Sequence, residues 1–221
     1  MFIGHNALGF AAKREAPRAS LGLLMAAPML LDLLWPIFLI AGIEQVELAP
    51  AHTSPFLAMT FTHYPWSHSL LMSLVWGAAY GLFYRWRSGG DVRGALVAGA
   101  LVVSHWVLDF FTHLPDLPLW PGGPRVGLGL WNYPAATVVI EVVLYLAGIA
   151  VYLRATEARD RVGTWSLAAF VVVLAALYLT SFGPPPPVKV IGWGALTGWL
   201  LPLWAWWFDR HRRLRAPVSS Q

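Results

Sequence analysis

The sequence contains no cysteine and few charged residues. None of its 221 residues is a cysteine, and only 12% are Asp, Glu, Lys or Arg. Without thiols the chain can form neither a disulfide framework nor a thiolate metal site, so any metal must be bound by nitrogen and oxygen atoms. The low charge accompanies 57% hydrophobic residues and a mean hydropathy of +0.58, which lie outside the usual range of soluble domains. This composition predicts an integral membrane protein with no nucleic-acid partner.

Six apolar stretches are long enough to cross a bilayer as helices, which takes about 20 residues each. They lie at roughly 19–43, 67–84, 94–113, 134–153, 164–183 and 190–208. No internal repeat is visible, so we predict a single integral membrane domain over residues 1–221. The expected fold is all-α: a polytopic bundle of about six transmembrane helices, with no indication of its oligomeric state.

The basic residues are distributed asymmetrically between the two sides of these spans. Thirteen of the 15 Lys and Arg residues fall in the terminal segments and in every second connection, whereas the other connections contain only Arg125 and Lys189. Cytoplasmic loops carry such an excess of Lys and Arg. The pattern predicts that both termini are cytoplasmic, with residues 209–221 as a basic tail. The membrane expected is the cytoplasmic (inner) membrane of a bacterium or archaeon.

The first 18 residues are too short to form a span of their own. Residues 1–12 are largely apolar and precede Lys13 and Arg14, an order unlike that of a cleaved signal peptide. We expect residues 1–18 to form a short segment that either lies in the membrane interface or re-enters the bundle. The connections at 44–66 and 114–133, rich in Pro, Trp and His, are expected to cap the outer mouth of the bundle.

Three acidic residues fall inside the predicted spans: Asp32, Asp109 and Glu141. A charged side chain at the centre of a bilayer costs about 2.5–3.5 kcal/mol on insertion scales. No Lys or Arg falls inside a predicted span to pair with them. The compensating positive charge must come from protonation of the acids, from a protonated histidine or from a bound cation.

Histidines accompany these acids, a combination that favours a metal. His105, Asp109 and His113 recur every four residues, so they form a polar stripe on one helical face, with neighbours about 6 Å apart along the axis. His63 and His68 lie five residues apart across a proline, which predicts a bent entry into the second span. With the predicted topology, these acids and histidines share one level in the outer half of the bilayer and indicate a single site that opens outward.

Single histidines in a membrane protein more often pack and hydrogen-bond than bind a metal. Taken singly, His52 and His113 have that interpretation, and His211 belongs to the basic tail. Glu141 taken alone is equally well explained as a protonated acid bonded to a neighbouring helix.

Five sequence blocks follow one another over roughly the first 145 residues: GHNALGF, LLDLLWP, HYPWSHSLL, SHWVLDFFTH, and GLGLW followed by Glu141. Their order resembles that of the membrane-bound metal-dependent hydrolase family, the YdjM-like inner-membrane hydrolases. The chain departs from the family pattern at Tyr64 and Pro65. In the second block Leu34 and Trp35 stand where the family has an aspartate and a histidine, which implies fewer metals or an altered activity.

The resemblance implies a hydrolase and a set of metal ligands. The implied ligands are His5, Asp32, His63, His68, His105 and Asp109, with Glu141 as a further candidate. His5 can reach a site in the outer half of the bilayer from a cytoplasmic amino terminus only if residues 1–12 re-enter between the helices.

A set of six or seven nitrogen and oxygen ligands exceeds the four that one zinc ion usually takes, so one or two divalent ions are expected. Zinc is the leading candidate, with manganese or iron as alternatives. Asp32 or Asp109 would bridge two ions, and we assign catalytic roles to Asp109 and Glu141, the latter as the group that moves a proton. The predicted substrate is a membrane lipid or lipid-linked molecule, cleaved at a phosphoester or ester bond.

Three other functions use the same residues. The main alternative is an ion- or proton-coupled transporter, because intramembrane acids and histidines also form ion pathways. The other two alternatives do not account for the acidic residues. Haem binding through His68 and His105 would require no acids beside the haem, and a scaffold protein without chemistry would leave the buried acids unexplained.

Overall fold

The protein is built mainly from helices, which the computed structural model describes over residues 1–49 and 54–216. In chain order they are α1 Ile3–Glu15, α2 Leu21–Ile40, α3 Pro65–His68, α4 Leu70–Arg87, α5 Val92–Thr112, α6 Pro134–Ala155, α7 Arg161–Thr180, α8 Val188–Leu196 and α9 Leu200–Asp209. The strands are β1 Gln45–Leu48, β2 Met59–His63, β3 Leu117–Pro118, β4 Arg125–Val126, β5 Thr156–Ala158 and β6 Arg212–Leu214. They form three antiparallel pairs, β1 with β2, β3 with β4 and β5 with β6. The predicted helical architecture is confirmed, and the strands are confined to connections.

Within the described residues, five helical stretches are long and apolar enough to cross a membrane. They are Leu21–Ile40, Val92–Thr112, Pro134–Ala155, Arg161–Thr180 and Val188–Asp209. The last consists of α8, a 3-10 turn at Thr197–Trp199 and α9. The second predicted span, 67–84, is the one that is not among these five. It forms α3 and the 18-residue α4, which includes Arg85 and Arg87 in its last turn and is less apolar than the other five. Membrane character is therefore supported with five such helices rather than six.

Local sequence signals determine where the long helices begin. Ser20, Ser69, Asp91 and Asp160 cap α2, α4, α5 and α7, and each side chain accepts a hydrogen bond from a backbone N–H in the first turn. Such caps satisfy donors that the helix itself leaves free. Helix α6 begins instead with Pro134, which has no N–H to satisfy.

The first helix, α1, lies inside the bundle against α2 and α6. Ile3 and Phe10 are buried, and two glycines allow the close approach. A Cβ atom on Gly9 would lie 2.8 Å from the carbonyl oxygen of Leu24 in α2, and one on Gly148 in α6 would lie 2.3 Å from that of Ala7. The sequence left open whether residues 1–18 lie in the interface or re-enter. In the structure α1 is an interior helix, which is how His5 reaches the other histidines.

Short sheets close the two ends of the bundle. The connections 44–66 and 114–133 carry the β1–β2 and β3–β4 pairs, with Gln45 opposite His63 and Leu117 opposite Val126. Residues 50–53 of the first connection, including His52, lie outside the described residues, as do residues 217–221 of the predicted tail. The rest of that tail is partly folded, because Arg212 in β6 is buried and donates to the backbone oxygen of Gly163 at 2.8 Å.

Candidate metal centre

Five histidine and aspartate side chains from four helices converge in the bundle: His5 of α1, Asp32 of α2, His68 of α3, and His105 and Asp109 of α5. We call these five residues the His–Asp cluster. They form two overlapping groups, His5 with His105 and Asp109, and Asp32 with His68 and His105. Within each group the potential ligand atoms all lie within 4.8 Å of one another. Either group could hold a metal ion.

Helix α5 supplies the centre of the cluster. Asp109 Oδ2 lies 3.0 Å from His105 Nε2 and 3.8 Å from His113 Nε2. His105 Nε2 also lies 3.7 Å from Asp32 Oδ1. The four-residue spacing therefore places the two histidines on either side of one carboxylate, as the sequence predicted.

His5 contributes from the first turns of α1. Its Nε2 lies 3.0 Å from Asp109 Oδ1, and its ring stacks on that of His105 with centroids 3.8 Å apart. The ring is fully buried, and burial disfavours its charged form, which favours the neutral imidazole that binds a metal. The amino group of Met1 donates to the same Asp109 oxygen at 2.8 Å.

The hydrogen-bond network fixes the tautomer of His105. Its Nδ1 lies 2.6 Å from the carbonyl oxygen of Pro28, which can only accept, so the ring hydrogen is on Nδ1. In the neutral ring the fully buried Nε2 then carries a lone pair and forms no hydrogen bond, although both aspartates are nearby. A buried lone pair that faces carboxylate oxygens is electrostatically unfavourable, and a cation between them removes the conflict. The donor set thus fits a metal ion.

A second hydrogen-bond network fixes the tautomer of His68. Glu44, which is 1% exposed, accepts the Ser67 hydroxyl hydrogen at 2.6 Å, so Ser67 Oγ accepts in turn from His68 Nδ1 at 2.7 Å. In the neutral ring this leaves the lone pair on Nε2, which lies 3.3 Å from Asp32 Oδ1. Glu44 also accepts the backbone N–H groups of Trp66 and Ser67, both at 2.8 Å, at the start of α3. Glu44 and Ser67 therefore orient His68, in the way that outer partners orient metal-binding histidines.

His113 lies at the edge of the cluster, where it forms the hydrogen bond and ring contacts expected of a packing residue. Its ring is 4% exposed, and Nδ1 lies 3.0 Å from Asp116 Oδ1, which assigns the hydrogen to Nδ1 and leaves Nε2 towards Asp109. The Tyr64 hydroxyl also lies 3.3 Å from Asp116 Oδ1. His113 is therefore oriented by a carboxylate, as His68 is oriented through Ser67.

His63 does not join the cluster. It is the last residue of β2, pairs with Gln45 and is exposed. The sequence interpretation placed His63 and His68 together at a bent entry into the second span, but α3 begins only at Pro65. The extended backbone before it turns His63 to the surface of the hairpin, so the geometry gives no support for His63 as a ligand.

Glu141 is buried and holds the start of α1. Its Oε2 accepts the backbone N–H groups of Phe2 and Gly4 at 2.8 and 3.1 Å. These donors lack partners within the helix, and a carboxylate is favourable beside the positive end of the helix dipole. Glu141 thereby anchors the turn that carries His5, in addition to any role in proton transfer.

A cavity of about 330 Å³ lies over the cluster. We call it the site cavity. Its histidine and carboxylate lining is Asp32, His68, Asp109, His113 and Glu141, and aromatic side chains form much of the rest: Phe2, Trp35, Phe56, Phe61, Trp131 and Tyr178. Its volume falls at the lower end of the range for small-molecule sites, about 300–1,000 Å³. Carboxylates and histidine nitrogens therefore face a space that a ligand can enter.

Comparison with known protein families, with curated proteins and with solved structures finds no match to this chain. The interpretation of the site therefore depends on its own geometry. That geometry is a buried set of imidazole and carboxylate ligands, with outer partners that fix their tautomers, beneath an aromatic-lined cavity.

Proposed function

We propose that this protein is a metal-dependent membrane hydrolase that acts on a lipid or lipid-linked substrate, with a phosphoester as the preferred bond. One observation carries the proposal: the lone pairs of His68 and His105 face Asp32 and Asp109 inside the bundle. Acceptors facing acceptors in a buried site need a cation between them. The membership of the hydrolase family that the motif order suggests remains a prediction.

The charge around the cluster supports a bound cation. With neutral histidines, Asp32 and Asp109 contribute two negative charges, and the Met1 amino group faces only Asp109 Oδ1. Lys13, the lysine on α1, lies at the other end of that helix and pairs with Asp209. The amino group offsets one of these two charges, so the cluster keeps a net negative charge that attracts a cation, and nitrogen and oxygen donors suit zinc, with manganese or iron as alternatives.

The ligand arrangement is compatible with one ion or two. His105 has one free nitrogen, because Nδ1 is engaged by Pro28, so it can bind only one ion at a time. Asp109 presents Oδ1 to His5 and Oδ2 to His105 and His113, so its carboxylate is placed to bridge two ions. A bound metal would supply an activated water and polarise the bond to be cleaved. Asp109 would hold the ions, and Glu141, on the same cavity, is the candidate for moving a proton.

The interior below the cluster favours a hydrolase over a transporter. Between His5 and Lys13 on α1 lies Phe10, which packs against Tyr145, Tyr152 and Phe170 with ring centroids 5.5–6.3 Å apart. A transport pathway would have to cross this aromatic layer. We further propose that the His–Asp cluster faces the outer side of the inner membrane, with cytoplasmic termini, on the basis of the distribution of Lys and Arg.

Metal content tests the proposal. Detergent-purified wild type is compared by mass spectrometry with the triple variant His68→Ala, His105→Ala, Asp109→Ala, and with His63→Ala as a matched histidine control. We expect stoichiometric zinc, manganese or iron in wild type and His63→Ala and its loss in the triple variant. Folded wild type that stays metal-free after incubation with excess zinc would overturn the metal site.

Activity tests the reaction separately. Phosphate release from lipid phosphoesters by metal-loaded protein would support hydrolysis. Metal-dependent cation or proton flux into proteoliposomes without phosphate release would instead identify a transporter.

A further inference from the structure

We propose that a groove between α2, α7 and the α8–α9 segment binds the hydrocarbon chain of a membrane lipid, with the lipid's polar end at Asp32. The groove encloses about 330 Å³, and we call it the lateral groove. The binding of a hydrocarbon chain in this groove does not depend on whether the protein is an enzyme. That the bound lipid is also the substrate rests on the proposed function.

The walls of the lateral groove are apolar. Met25, Met29 and Leu33 recur every four residues along one face of α2, are buried, and form its inner wall. The opposite wall includes Ala195 and Leu201 of the α8–α9 segment. Flexible methionine and leucine side chains accommodate an irregular alkyl chain well.

Three polar side chains along the groove have their hydrogens engaged elsewhere. Thr180 donates to the carbonyl oxygen of Leu177 at 2.6 Å, and Thr197 to that of Gly194 at 2.6 Å. The Asn6 amide nitrogen lies 3.2 Å from the carbonyl oxygen of Phe2 and 3.5 Å from Met29 Sδ. These groups therefore offer few hydrogen-bond donors to a ligand, and the lining suits a hydrocarbon better than a polar molecule.

The lateral groove adjoins the site cavity. Both spaces are lined by Phe2, Asp32, Trp35, Thr180 and Ser181. A chain in the groove would thus place a head group at Asp32, which lies 3.3 Å from His68 Nε2. An amphiphile matches this combination of an apolar groove and a polar end.

The groove opens on the side of the bundle that would face lipid. Leu177, Gly194 and Thr197 at its rim are exposed. Nearby residues on the same helices, including Leu179, Val190 and Leu200, are 55–65% exposed although they are apolar. All of these residues lie in or between stretches apolar enough to cross a membrane. A lipid could therefore enter from the bilayer without passing through water.

Gly194 allows the groove to be blocked without disturbing the His–Asp cluster. A Cβ atom built on Gly194 meets no other atom within 4 Å, so a larger side chain has room to extend into the groove. Leu179 on α7 provides a control position, because it is 65% exposed and lies about 200° around the helix from Leu177, which lines the groove. Gly194→Phe adds bulk at the groove, whereas Leu179→Phe introduces the same side chain on the outer surface.

Photolabelling with hexadecyl phosphate that carries a diazirine in mid-chain tests the groove. The full-length protein in detergent is irradiated with the probe, and the modified residues are mapped by mass spectrometry. We expect labelling of Met25, Met29 and Leu33 that excess hexadecyl phosphate suppresses. Labelling should fall about tenfold in Gly194→Phe, equivalent to about 1.4 kcal/mol of binding free energy, and remain unchanged in Leu179→Phe.

The outcomes separate this inference from the proposed function. Labelling confined to exposed residues, or equal labelling of these three residues in wild type and Gly194→Phe, would overturn the lipid groove even if the protein binds zinc. Conversely, groove labelling that persists in a metal-free protein would support the groove while the metal site fails. Gly194→Phe should keep the zinc content of wild type, which confirms that its effect is not a loss of fold.

Discussion

The two ends of α1 contain buried carboxylates in opposite electrostatic situations. At the Lys13 end, Asp209 accepts from Lys13 Nζ at 2.8 Å, from the Leu21 N–H at 2.9 Å and from the Tyr152 hydroxyl at 2.8 Å. Lys13 also donates to the carbonyl oxygen of Ala19 at 2.7 Å. Each charged group has its counter-charge and its hydrogen bonds, as a structural ion pair requires.

At the His5 end the Met1 ammonium donates to Asp109 Oδ1 at 2.8 Å, but the other oxygen of that carboxylate faces ring nitrogens. Asp109 Oδ2 faces the Nε2 atoms of His105 and His113, which in their assigned tautomers are acceptors. Asp32 faces His68 in the same way. A polar network that is complete stabilises the fold, whereas one with converging lone pairs is a binding site. The difference between the two ends indicates that the Lys13–Asp209 network is structural and that the His–Asp cluster could hold a ligand.

The largest expected effect is on stability at the Lys13 end. Asp209→Asn leaves the buried Lys13 ammonium without its counter-charge, which should cost about 3–5 kcal/mol. Thermal unfolding in detergent should show a clearly lower Tm, with the metal content per folded protein unchanged. Unchanged stability would mean that Lys13 is hydrogen-bonded by water or by another group. The proposed difference between the two ends of α1 would then be wrong.

The reciprocal change at the His5 end should remove metal with a smaller loss of stability. Asp109→Asn deletes a charge that faces histidine lone pairs through Oδ2 but also pairs with the Met1 ammonium through Oδ1, so we expect the metal-free variant to lose less stability than Asp209→Asn does. Metal content should fall to background, because Asp109 belongs to the central group of ligands. A loss of stability as large as that of Asp209→Asn, with metal retained, would make Asp109 a structural residue like Asp209.

A smaller effect is expected from the outer partners of His68. Glu44→Gln or Ser67→Ala should weaken metal binding about 10–100-fold, because the tautomer and orientation of His68 are no longer fixed. Glu47→Gln, an exposed glutamate on β1, is the matched control and should bind metal like wild type. Metal affinity measured by competition with a chelator distinguishes positioning from a general effect on folding, which the Tm reports. Equal affinities in the three variants would remove Glu44 from the site.

The smallest effect concerns Asp160, which caps α7 near the Lys13 end. Its hydrogen bond with His211, and then that with the Gly163 N–H, lowers its pKa below the usual value. The carboxylate therefore stabilises the fold above the pKa of the unfolded chain, about 4, and loses this contribution as the pH falls through the lowered folded-state value. We expect a small decrease in the Tm of Asp160→Asn at pH 7, and a smaller one near pH 3. A constant difference in Tm across this range would contradict the electrostatic cause.

Helical periodicity made part of the site predictable. The stripe of His105, Asp109 and His113 follows from four-residue spacing, which is a local property of any helix. The sequence also indicated that Asp32 and His68 are polar residues next to or within spans that contain no Lys or Arg. These signals are sufficient to predict which residues form a candidate metal centre. They do not give the distances on which coordination depends.

The residues that sequence reasoning missed lie in connections. Glu44 and Asp116 were outside the predicted spans and so were not considered among the costly acids, although both are close in sequence to the ends of those spans. Ser67 precedes His68 directly, which was the available signal. His63 was included for its spacing from His68, but the change from strand β2 to helix α3 separates their side chains.

The sequence by itself determined that the chain is helical and membrane-like, and where most spans lie, because these properties depend on the composition and periodicity of contiguous residues. Tertiary structure alone decided that α1 enters the bundle, that Lys13 pairs with Asp209 over a separation of 196 residues, and that Glu44 fixes the tautomer of His68. Those contacts depend on the packing of distant segments and on backbone turns in loops. Local sequence patterns do not encode such distances, whereas the packed bundle sets them to within hydrogen-bond range.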